Sequence, residues 1–322
     1  MKAIRIESNG GPEVLVAHEQ PSPEPGEGQV RVRVTAAGVN FIDTYERAGH
    51  YQTGLPYVPG REGAGEVVAV GTGGTGLAVG DRVAWAGVPG SYAEEVLVPA
   101  DRAARVPAAV PLDVAAAVML QGMTAHYLTH DTFPLAPGDT CLVLAAAGGT
   151  GQLVVQLAKA RGAYVIGTVS SDEKECVACE AGADAIIRYD RVGFAAEARR
   201  LTAGLGVRVV YDGVGRATFA ESLDALGLRG MLVLFGAASG PVPPFDPAIL
   251  NQKGSLYLTR PSLVHYVATA EEYRARAAAV LDAVAAGTLR VRVSHRFPLA
   301  QAAEAHRVIE GRGTTGKILL VP

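Results

Sequence analysis

The sequence is poor in several features that mark particular classes of protein. Three cysteines are too few for a disulfide framework, and this usage fits a reducing cytosol. Lysine and arginine total 29 against 32 acidic residues, so the chain lacks the basic excess of a nucleic-acid or membrane-surface binder. No apolar run reaches the roughly 20 residues of a membrane span, and the start, MKAIRIESNGG, lacks the apolar core of a signal peptide. We therefore expect a cytoplasmic protein without a membrane or nucleic-acid partner.

The remaining composition is that of an ordinary folded protein. Hydrophobic residues make up 49% of the chain and charged residues 19%, which separates it from disordered sequences. Because 322 residues are many for one hydrophobic core, two domains are expected. The first third contains short alternating runs, such as QVRVRVTAAGV and DRVAWAG, separated by turn clusters such as GTGGTG. This pattern predicts a β-rich module.

From about residue 113 the pattern changes to strands alternating with helices. The run DVAAAVMLQGMTAHYLTH has helical spacing, with Asp113 as its predicted N-cap. Apolar strands then alternate with helices predicted at 149–161 and around 173–181, 194–201 and 217–225. Such alternation indicates a parallel sheet covered on both faces, which is an α/β fold. After Arg260, two more helices and a final strand, KILLVP, indicate a return to the first module.

A glycine-rich turn in this second region predicts a dinucleotide site. The usual fingerprint is G-x-G-x-x-G between a strand and a helix. In LVLAAAGGTGQLVVQLAKARGAYVIGTVSS, residues 142–171, Ala146 takes the first glycine position, and Gly148 and Gly151 take the other two. Glycines let the backbone approach a pyrophosphate, and the helix N-terminus supplies N–H donors. The flanking strand, helix and second strand favour a Rossmann-type site over an unrelated glycine turn.

The end of the second strand predicts which nucleotide binds. NAD sites place an acidic residue there, which binds the ribose hydroxyls and would repel a 2′-phosphate. Here the strand ends in Ser170 and Ser171, and Lys174 follows one helical turn later. Tyr189 ends the next strand, and Asp172 is expected to face solvent or cap the helix. Hydroxyls and an ammonium suit a phosphate dianion, so the sequence predicts NADP(H). A helix cap with a surface lysine is the alternative that needs no ligand.

Several longer segments carry a specific resemblance: AAGVNFIDTYERAGHY, AAAGGTG, GTVSSDEK, VVYDGVG and LNQKGSLYLTRPSL. Over its whole length the chain resembles the NADPH:quinone oxidoreductases, the zinc-free, zeta-crystallin-like branch of the medium-chain dehydrogenase/reductase superfamily. The resemblance implies a GroES-like catalytic domain of residues 1–120 and 265–322, and a Rossmann NADP(H)-binding domain of residues 121–264. The active site would lie in the cleft between them, where ligand sites often form. A homodimer formed through the Rossmann domains is also implied.

The same resemblance assigns the cofactor contacts. The turn at 148–151 would hold the pyrophosphate, the serines and Lys174 the 2′-phosphate, and the segment 40–45 the nicotinamide. The residues implied to contact NADPH are Phe41, Thr44, Thr124, Tyr127, Gly148, Gly149, Thr150, Gly151, Ser170, Ser171, Lys174, Tyr189, Gly213, Phe235, Gly236, Ala237, Pro261, Ser262, Leu263 and Arg312.

No metal site is expected. Alcohol dehydrogenases of the superfamily hold a catalytic zinc with a cysteine near the NFIDTY position and a histidine in a G-H-E segment. This chain has Asn40 at the first position and Arg61, in Gly60-Arg61-Glu62-Gly63, at the second. A guanidinium stays protonated and cannot bind a metal, and three cysteines cannot build a four-cysteine zinc lobe.

The predicted reaction is reduction of a quinone by NADPH, which places negative charge on a quinone oxygen. Candidate catalytic residues near that charge are Asn40, Tyr45, Tyr51 and Arg260, which would stabilise it in the manner of an oxyanion hole. Two alternatives stay open. One is NADPH-dependent reduction of an activated C=C bond in an enone, enal or acrylate, and the other is a non-catalytic NADPH-binding role.

Overall fold

The computed structural model describes all 322 residues, which form two compact units. Unit 1 comprises Met1–Met123 and Val267–Pro322, and unit 2 comprises Thr124–Tyr266. The strands in chain order are β1 (Lys2–Arg5), β2 (Val16–Glu19), β3 (Gln29–Val39), β4 (Glu62–Val70), β5 (Arg82–Ala86), β6 (Glu95–Pro99), β7 (Ala104–Arg105), β8 (Thr140–Val143), β9 (Tyr164–Val169), β10 (Ala185–Arg188), β11 (Val207–Asp212), β12 (Leu226–Leu234), β13 (Tyr257–Thr259), β14 (Val293–Pro298) and β15 (Lys317–Val321). The α-helices are α1 (Phe41–Arg47), α2 (Leu112–Tyr127), α3 (Gly149–Ala160), α4 (Asp172–Glu180), α5 (Phe194–Leu201), α6 (Phe219–Ala225), α7 (Ala248–Gln252), α8 (Leu263–Tyr266), α9 (Ala270–Ala285) and α10 (Ala302–Glu310).

Unit 1 is built around β3, the long strand predicted from alternating valines. Val30, Val32 and Val34 are buried, while the residues between them face outward. β3 pairs with β4 along most of its length, with β6 at its beginning and with β15 at its end. The main sheet has seven strands, and β1 and β2 form a separate antiparallel pair. The pairing of β15 with β3 brings the last strand of the chain into the sheet of the first module.

Unit 2 contains a six-stranded sheet in the order β10-β9-β8-β11-β12-β13. All neighbouring pairs in it are parallel. The order reverses between β8 and β11, which is the doubly wound Rossmann arrangement. This confirms the predicted α/β sheet. The carboxyl ends of β8 and β9, where dinucleotides bind in this fold, carry the glycine turn and the two serines.

The predicted helices occur close to their expected positions, with one wrong detail at a helix start. α2 begins at Leu112, so Asp113 lies inside the first turn and is not the N-cap. Its carboxylate accepts a hydrogen bond from the next amide, Val114 N, at 2.9 Å, and also pairs with Arg296. Aspartate in a first turn still complements the positive end of the helix dipole. None of the helices combines the length and apolar character needed to cross a bilayer.

Candidate active site

The glycine turn after β8 exposes the start of α3. Gly148 is the N-cap residue, and no side chain caps the first turn. Packing here is very close, since a Cβ on Gly151 would lie 2.3 Å from the carbonyl oxygen of Ala145. The tight point of the turn is Ala145, with φ of 51°, and not Ala146, which is fully buried. The geometry leaves backbone amides and the positive helix end open to an anion, as a pyrophosphate site requires.

Four residues predicted to bind the 2′-phosphate lie together at the ends of β9 and β10. Lys174 Nζ donates to Ser170 Oγ at 3.3 Å, and Ser171 Oγ caps α4 by accepting from the amide of Lys174 at 3.3 Å. The amide of Tyr189 donates to the carbonyl of Val169 at 3.2 Å, which fixes Tyr189 beside the end of β9. Its side chain is exposed. Ser171 therefore does cap α4, as the alternative interpretation proposed. The same residues also present hydroxyls and an ammonium side by side.

The acidic residue that directly follows the two serines, Asp172, is exposed and paired with arginines. The carboxylate of Asp172 is 81% exposed and pairs with Arg188 and Arg191. Arg188 also binds Asp190 at 2.9 Å, and these carboxylates raise its pKa further above the usual arginine value. Asp172 therefore faces solvent, as expected. The sequence did not predict the roles of Arg188 and Arg191, because they come close to Asp172 only when β10 pairs with β9.

The loops after β11 and β12 interlock around Asp212. This buried carboxylate accepts from the amides of Val214 and Gly215, at 2.7 and 3.0 Å, and from the hydroxyls of Thr218 and Ser222, at 2.7 and 3.0 Å. Asp212 therefore fixes the turn that carries Gly213. Its position in the segment VVYDGVG gave no sign of this role, because the four donors are defined only when the turn has folded.

Gly213 packs directly against the loop after β12. A Cβ on it would lie 2.9 Å from the ring of Phe235, and a Cβ on Gly236 would lie 2.3 Å from the carbonyl oxygen of Gly213. A side chain at Gly236 would clash with backbone, whereas one at Gly213 would require the Phe235 ring to move. The structure thus brings together Gly213, Phe235 and Gly236, with Ala237 next in the chain.

The other candidates of unit 2 lie on α2, β13 and the segment that follows. Tyr127 is buried and its ring stacks on Tyr266 at 4.3 Å. The guanidinium of Arg260 donates to the carbonyl of Leu234 at 3.0 Å, at the end of β12. Pro261 is buried next to it, while Ser262 is exposed. Thr124 begins the unit, and Leu263 begins α8.

In unit 1 the segment from Asn40 to Tyr45 forms the start of α1. Asn40 is the N-cap, and Asp43 Oδ2 accepts from its amide at 2.9 Å, in a capping box. Thr44 is buried and bonds back to the carbonyl of Phe41 at 2.8 Å. The ring of Tyr45 lies 6.0 Å from that of Tyr51, so the two candidate hydroxyl donors share one surface. Arg312 of this unit is exposed and has a left-handed φ of 55°.

A closed cluster of buried side chains surrounds Asn40. Lys317 and Glu62 are fully buried and form an ion pair. Lys317 Nζ donates to Asn40 Oδ1 at 2.7 Å, and Asn40 Nδ2 donates to Glu62 Oε2 at 2.8 Å. The other amide hydrogen of Asn40 is directed to the carbonyl of Gly38, at 3.3 Å. The sequence did not predict this cluster. The one feature that could have indicated it is Lys317, the first residue of the otherwise apolar strand KILLVP.

A second buried network anchors α1 from the side of Asp43. Arg47 donates to His306 Nδ1 at 3.0 Å, so the neutral ring carries its hydrogen on Nε2 and donates to the Tyr92 hydroxyl at 3.1 Å. The Tyr92 hydroxyl in turn donates to Asp43 Oδ2 at 3.0 Å. Burial raises the pKa of Asp43 to about 7, and burial together with the Arg47 charge lowers the pKa of His306 to about 3. The network fixes α1 through hydrogen bonds with a defined direction.

The positions that hold zinc in the superfamily's alcohol dehydrogenases carry chemistry that does not fit a metal. Asn40 Oδ1 already accepts from the ammonium of Lys317, and a cation placed there would meet that charge. The guanidinium of Arg61 pairs with Glu46 at 2.5 Å. No group of three or more His, Cys, Asp or Glu side chains is arranged to hold a metal ion.

Two family models match the chain. One, described as "Alcohol dehydrogenase GroES-like domain", matches residues 26–108, and the other, described as "Zinc-binding dehydrogenase", matches residues 149–286. Together with the doubly wound sheet, these matches define a medium-chain dehydrogenase/reductase and confirm the predicted fold class. The second description mentions zinc, whereas the residues at the zinc positions here are Asn40 and Arg61.

Full-length relatives identify the family within this class. A quinone oxidoreductase from Pseudomonas aeruginosa is 46% identical over 100% of this chain and 99% of its own length. A 2-haloacrylate reductase from a Burkholderia species is 44% identical over 99% and 98%. The crystal structure of Escherichia coli quinone oxidoreductase complexed with NADPH superposes with a TM-score of 0.98, at 43% identity and full coverage of both chains. The chain belongs to the quinone oxidoreductase family, which confirms the predicted resemblance.

Proposed function

We infer that this protein is an NADPH-dependent quinone reductase. The observation that carries this conclusion is the end of β9, where Ser170, Ser171 and Lys174 form a donor surface and the exposed carboxylate of Asp172 pairs with Arg188. An NADP-type site of this kind belongs to a chain whose relatives are quinone oxidoreductases, one of them solved with NADPH. NADPH, when bound, supplies the reducing electrons and hydrogen, while the protein binds and orients it.

Different residues of the chain bind the cofactor and the acceptor. The uncapped start of α3 holds the pyrophosphate, and the interlocked turns at Gly213 and Gly236 shape the surface for the nicotinamide half. On the acceptor side, Tyr51 is an available donor, since it is 46% exposed and its hydroxyl makes no hydrogen bond, and Arg260 is exposed as well. Both amide hydrogens of Asn40 are engaged within unit 1, so Asn40 positions α1. The hydrogen directed to the carbonyl of Gly38, at 3.3 Å, is the more weakly bound of the two and is the one that Asn40 offers to the acceptor. Tyr45 supports Tyr51 by ring contact.

Reduction of an activated C=C bond is the second candidate reaction. It is favoured by the 2-haloacrylate reductase among the relatives, at 44% identity. Both reactions deliver hydrogen to an electron-poor carbon and need donors for the oxygen that gains charge. Turnover of 1,4-benzoquinone and of an α,β-unsaturated ketone, measured side by side with NADPH, separates them. NADPH binding without turnover of either acceptor would indicate the non-catalytic role.

The cofactor assignment is tested with Lys174→Ala. Loss of one charge-assisted hydrogen bond to a 2′-phosphate should lower the NADPH over NADH preference by about ten- to a hundredfold, with 1,4-benzoquinone as acceptor. The matched control is Lys253→Ala, which removes a lysine of the same unit that pairs with Asp224 and should leave the preference unchanged. Equal use of both cofactors by the wild-type protein would overturn the assignment.

We further propose a homodimer formed through the Rossmann-type unit and a cytoplasmic location. β13 is an edge strand of the parallel sheet, and Tyr257 on it and Leu228 on β12 are 58% and 75% exposed. Edge strands with exposed apolar side chains are prone to pair with another chain. The three cysteines are all unpaired, as expected in a reducing compartment. Sedimentation of the protein and of a Tyr257→Lys variant tests the dimer, because the variant should be monomeric.

A further inference from the structure

Unit 1 contains a pocket of about 250 Å³. We call it the Arg61 pocket, and its polar lining is formed by Glu46, Gln52, Thr53, Tyr57 and Arg61. Apolar atoms of Val58, Pro59 and Pro89 complete the wall. Pockets that enclose a whole drug-sized ligand begin at about 300 Å³, so this one suits a small molecule or one end of a larger molecule.

The pocket holds hydrogen-bond donors that are not fully satisfied. The hydroxyls of Thr53 and Tyr57 are shielded from solvent and lie close to each other, but neither makes a hydrogen bond of good geometry. Burial raises the pKa of Tyr57, which keeps its hydroxyl protonated as a donor. Arg61 uses its Nε for Glu46, and its two terminal nitrogens make no hydrogen bond. Buried hydroxyls are almost always satisfied in native proteins, so this pair indicates a ligand atom that accepts, and the Arg61 side chain, 30% exposed, donates to the same atom.

The charge of the pocket is balanced. Arg61 Nε lies 2.5 Å from Glu46 Oε1, and the Glu46 side chain is only 5% exposed. A guanidinium already paired with a carboxylate donates hydrogen bonds but offers little net positive charge to a ligand. A neutral carbonyl oxygen therefore fits better than a carboxylate, which would meet the charge of Glu46.

The pocket adjoins the candidate acceptor residues within the same unit. Glu46 follows Tyr45 on α1, and Gln52 and Thr53 follow Tyr51. The rings of Tyr45 and Tyr51 lie 6.0 Å apart. Two lining residues, Glu46 and Gln52, are thus chain neighbours of Tyr45 and Tyr51, and Tyr51 is the donor proposed to contact the acceptor.

We propose that the Arg61 pocket is a subsite for an uncharged, carbonyl-bearing end of the acceptor, and that the Glu46–Arg61 ion pair makes the enzyme prefer neutral acceptors over carboxylate-bearing ones. The inference rests on the quinone reductase function proposed above. Thr53, Tyr57 and Arg61 donate to the carbonyl oxygen, and Glu46 acts as a specificity residue by cancelling the charge of Arg61.

The experiment compares kcat/KM, with NADPH, for 1,4-benzoquinone and for a benzoquinone that carries a ring carboxylate. Glu46→Gln keeps an oxygen that accepts from Arg61 but removes the negative charge. The ratio of the two kcat/KM values should shift about tenfold or more toward the carboxylate-bearing acceptor. The matched control is Glu304→Gln, which neutralises the partner of Arg307 on an exposed face of α10 and should keep the wild-type ratio.

A second variant tests the hydroxyl directly. Tyr57→Phe should raise the KM for 1,4-benzoquinone about fivefold or more with kcat changed less than twofold, since it removes a binding donor and no reacting group. If Glu46→Gln and Tyr57→Phe both leave the ratio and the KM at wild-type values while quinone turnover is normal, the pocket holds only water and the inference is wrong. Absence of quinone turnover in the wild-type protein would instead refute the proposed function.

Discussion

The two units bury polar groups in opposite ways. Unit 2 has one buried charged side chain, Asp212, and all its hydrogen-bond partners lie within ten residues of it along the chain. Unit 1 buries a whole set of ionisable side chains: Asp43, Glu46, Arg47, Glu62, His306 and Lys317. Several of their contacts join distant parts of the chain, with 255 residues between Glu62 and Lys317 and 259 between Arg47 and His306.

This difference matches the different tasks of the two units. In the proposed function, unit 2 presents backbone groups to a nucleotide, and backbone amides at a glycine turn need close packing but no buried charge. Unit 1 positions side chains of one short helix, α1, and holds that helix through ion pairs and hydrogen bonds on both sides. The comparison predicts that unit 1 is sensitive to loss of a charge and unit 2 to added volume.

The largest effect is expected from Lys317→Met. The substitution leaves Glu62 buried without its ion-pair partner, so the free energy of unfolding should fall by about 3–5 kcal/mol. Urea unfolding measures it. The double variant Glu62→Gln, Lys317→Met should recover part of the loss, because no unpaired charge is left. A single variant as stable as the wild type would show that the pair does not hold unit 1 together.

Added volume in unit 2 should come next. In Gly151→Ala the new Cβ would lie 2.3 Å from the backbone oxygen of Ala145, and so α3 must shift. We expect a loss of about 1–3 kcal/mol in the free energy of unfolding and weaker NADPH binding, measured by titration. Gly148→Ala is the matched variant, since its Cβ would lie 3.1 Å from the same oxygen, and its effect should be smaller. The reverse order would contradict the packing seen here.

The pH dependence of stability separates the two titrating groups of the α1 network. The pKa of Asp43 is raised to about 7, so this group favours the folded state at low pH and that contribution is lost as pH rises from about 4 to 7. The pKa of His306 is lowered to about 3, so its contribution is present above about 6.5 and is lost as pH falls. Between pH 4 and 6.5 the two slopes oppose each other.

The substitution Asp43→Asn removes the contribution of Asp43 to the pH dependence of the free energy of unfolding. The stability of the variant should fall on acidification by about 1.4 kcal/mol per pH unit more steeply than that of the wild type, because His306 then titrates unopposed. Urea unfolding at pH 5 and pH 6 tests this. Asp282→Asn, which changes an exposed carboxylate of unit 1, should retain the wild-type slope. An unchanged slope in Asp43→Asn would mean that Asp43 is ionised throughout this range.

The smallest effect is expected from Ser222→Ala. It removes one of four donors to Asp212 and should cost about 0.5–1.5 kcal/mol, since three donors stay in place. Thermal unfolding provides the measurement. A loss as large as that of Lys317→Met would show that unit 2 depends on its buried charge as strongly as unit 1 does.

Local sequence patterns predicted most of unit 2 and little of the interior of unit 1. The glycine turn, the Ser170-Ser171 strand end and the helices around it are each encoded by neighbouring residues, and the structure places them where the pattern indicated. The prediction of Asp113 as the N-cap was wrong, because the hydrophobic pattern of α2 is the same whether the helix begins at one residue or at the next. The Asn40 cluster was missed because it requires β15 to pair with β3 from the other end of the chain.

The sequence by itself determined the alternation of strands and helices, the nucleotide-binding turn and the absence of an acid at its ribose end, because these depend on side-chain periodicity and on residues a few positions apart. Only the tertiary structure decided the partners of Asn40, the direction of the Asp43 network and the charge balance of the Arg61 pocket. Each of these depends on distances between side chains that are far apart along the chain. A buried charge is stable only beside its partner, and that partner is defined when the strands have paired.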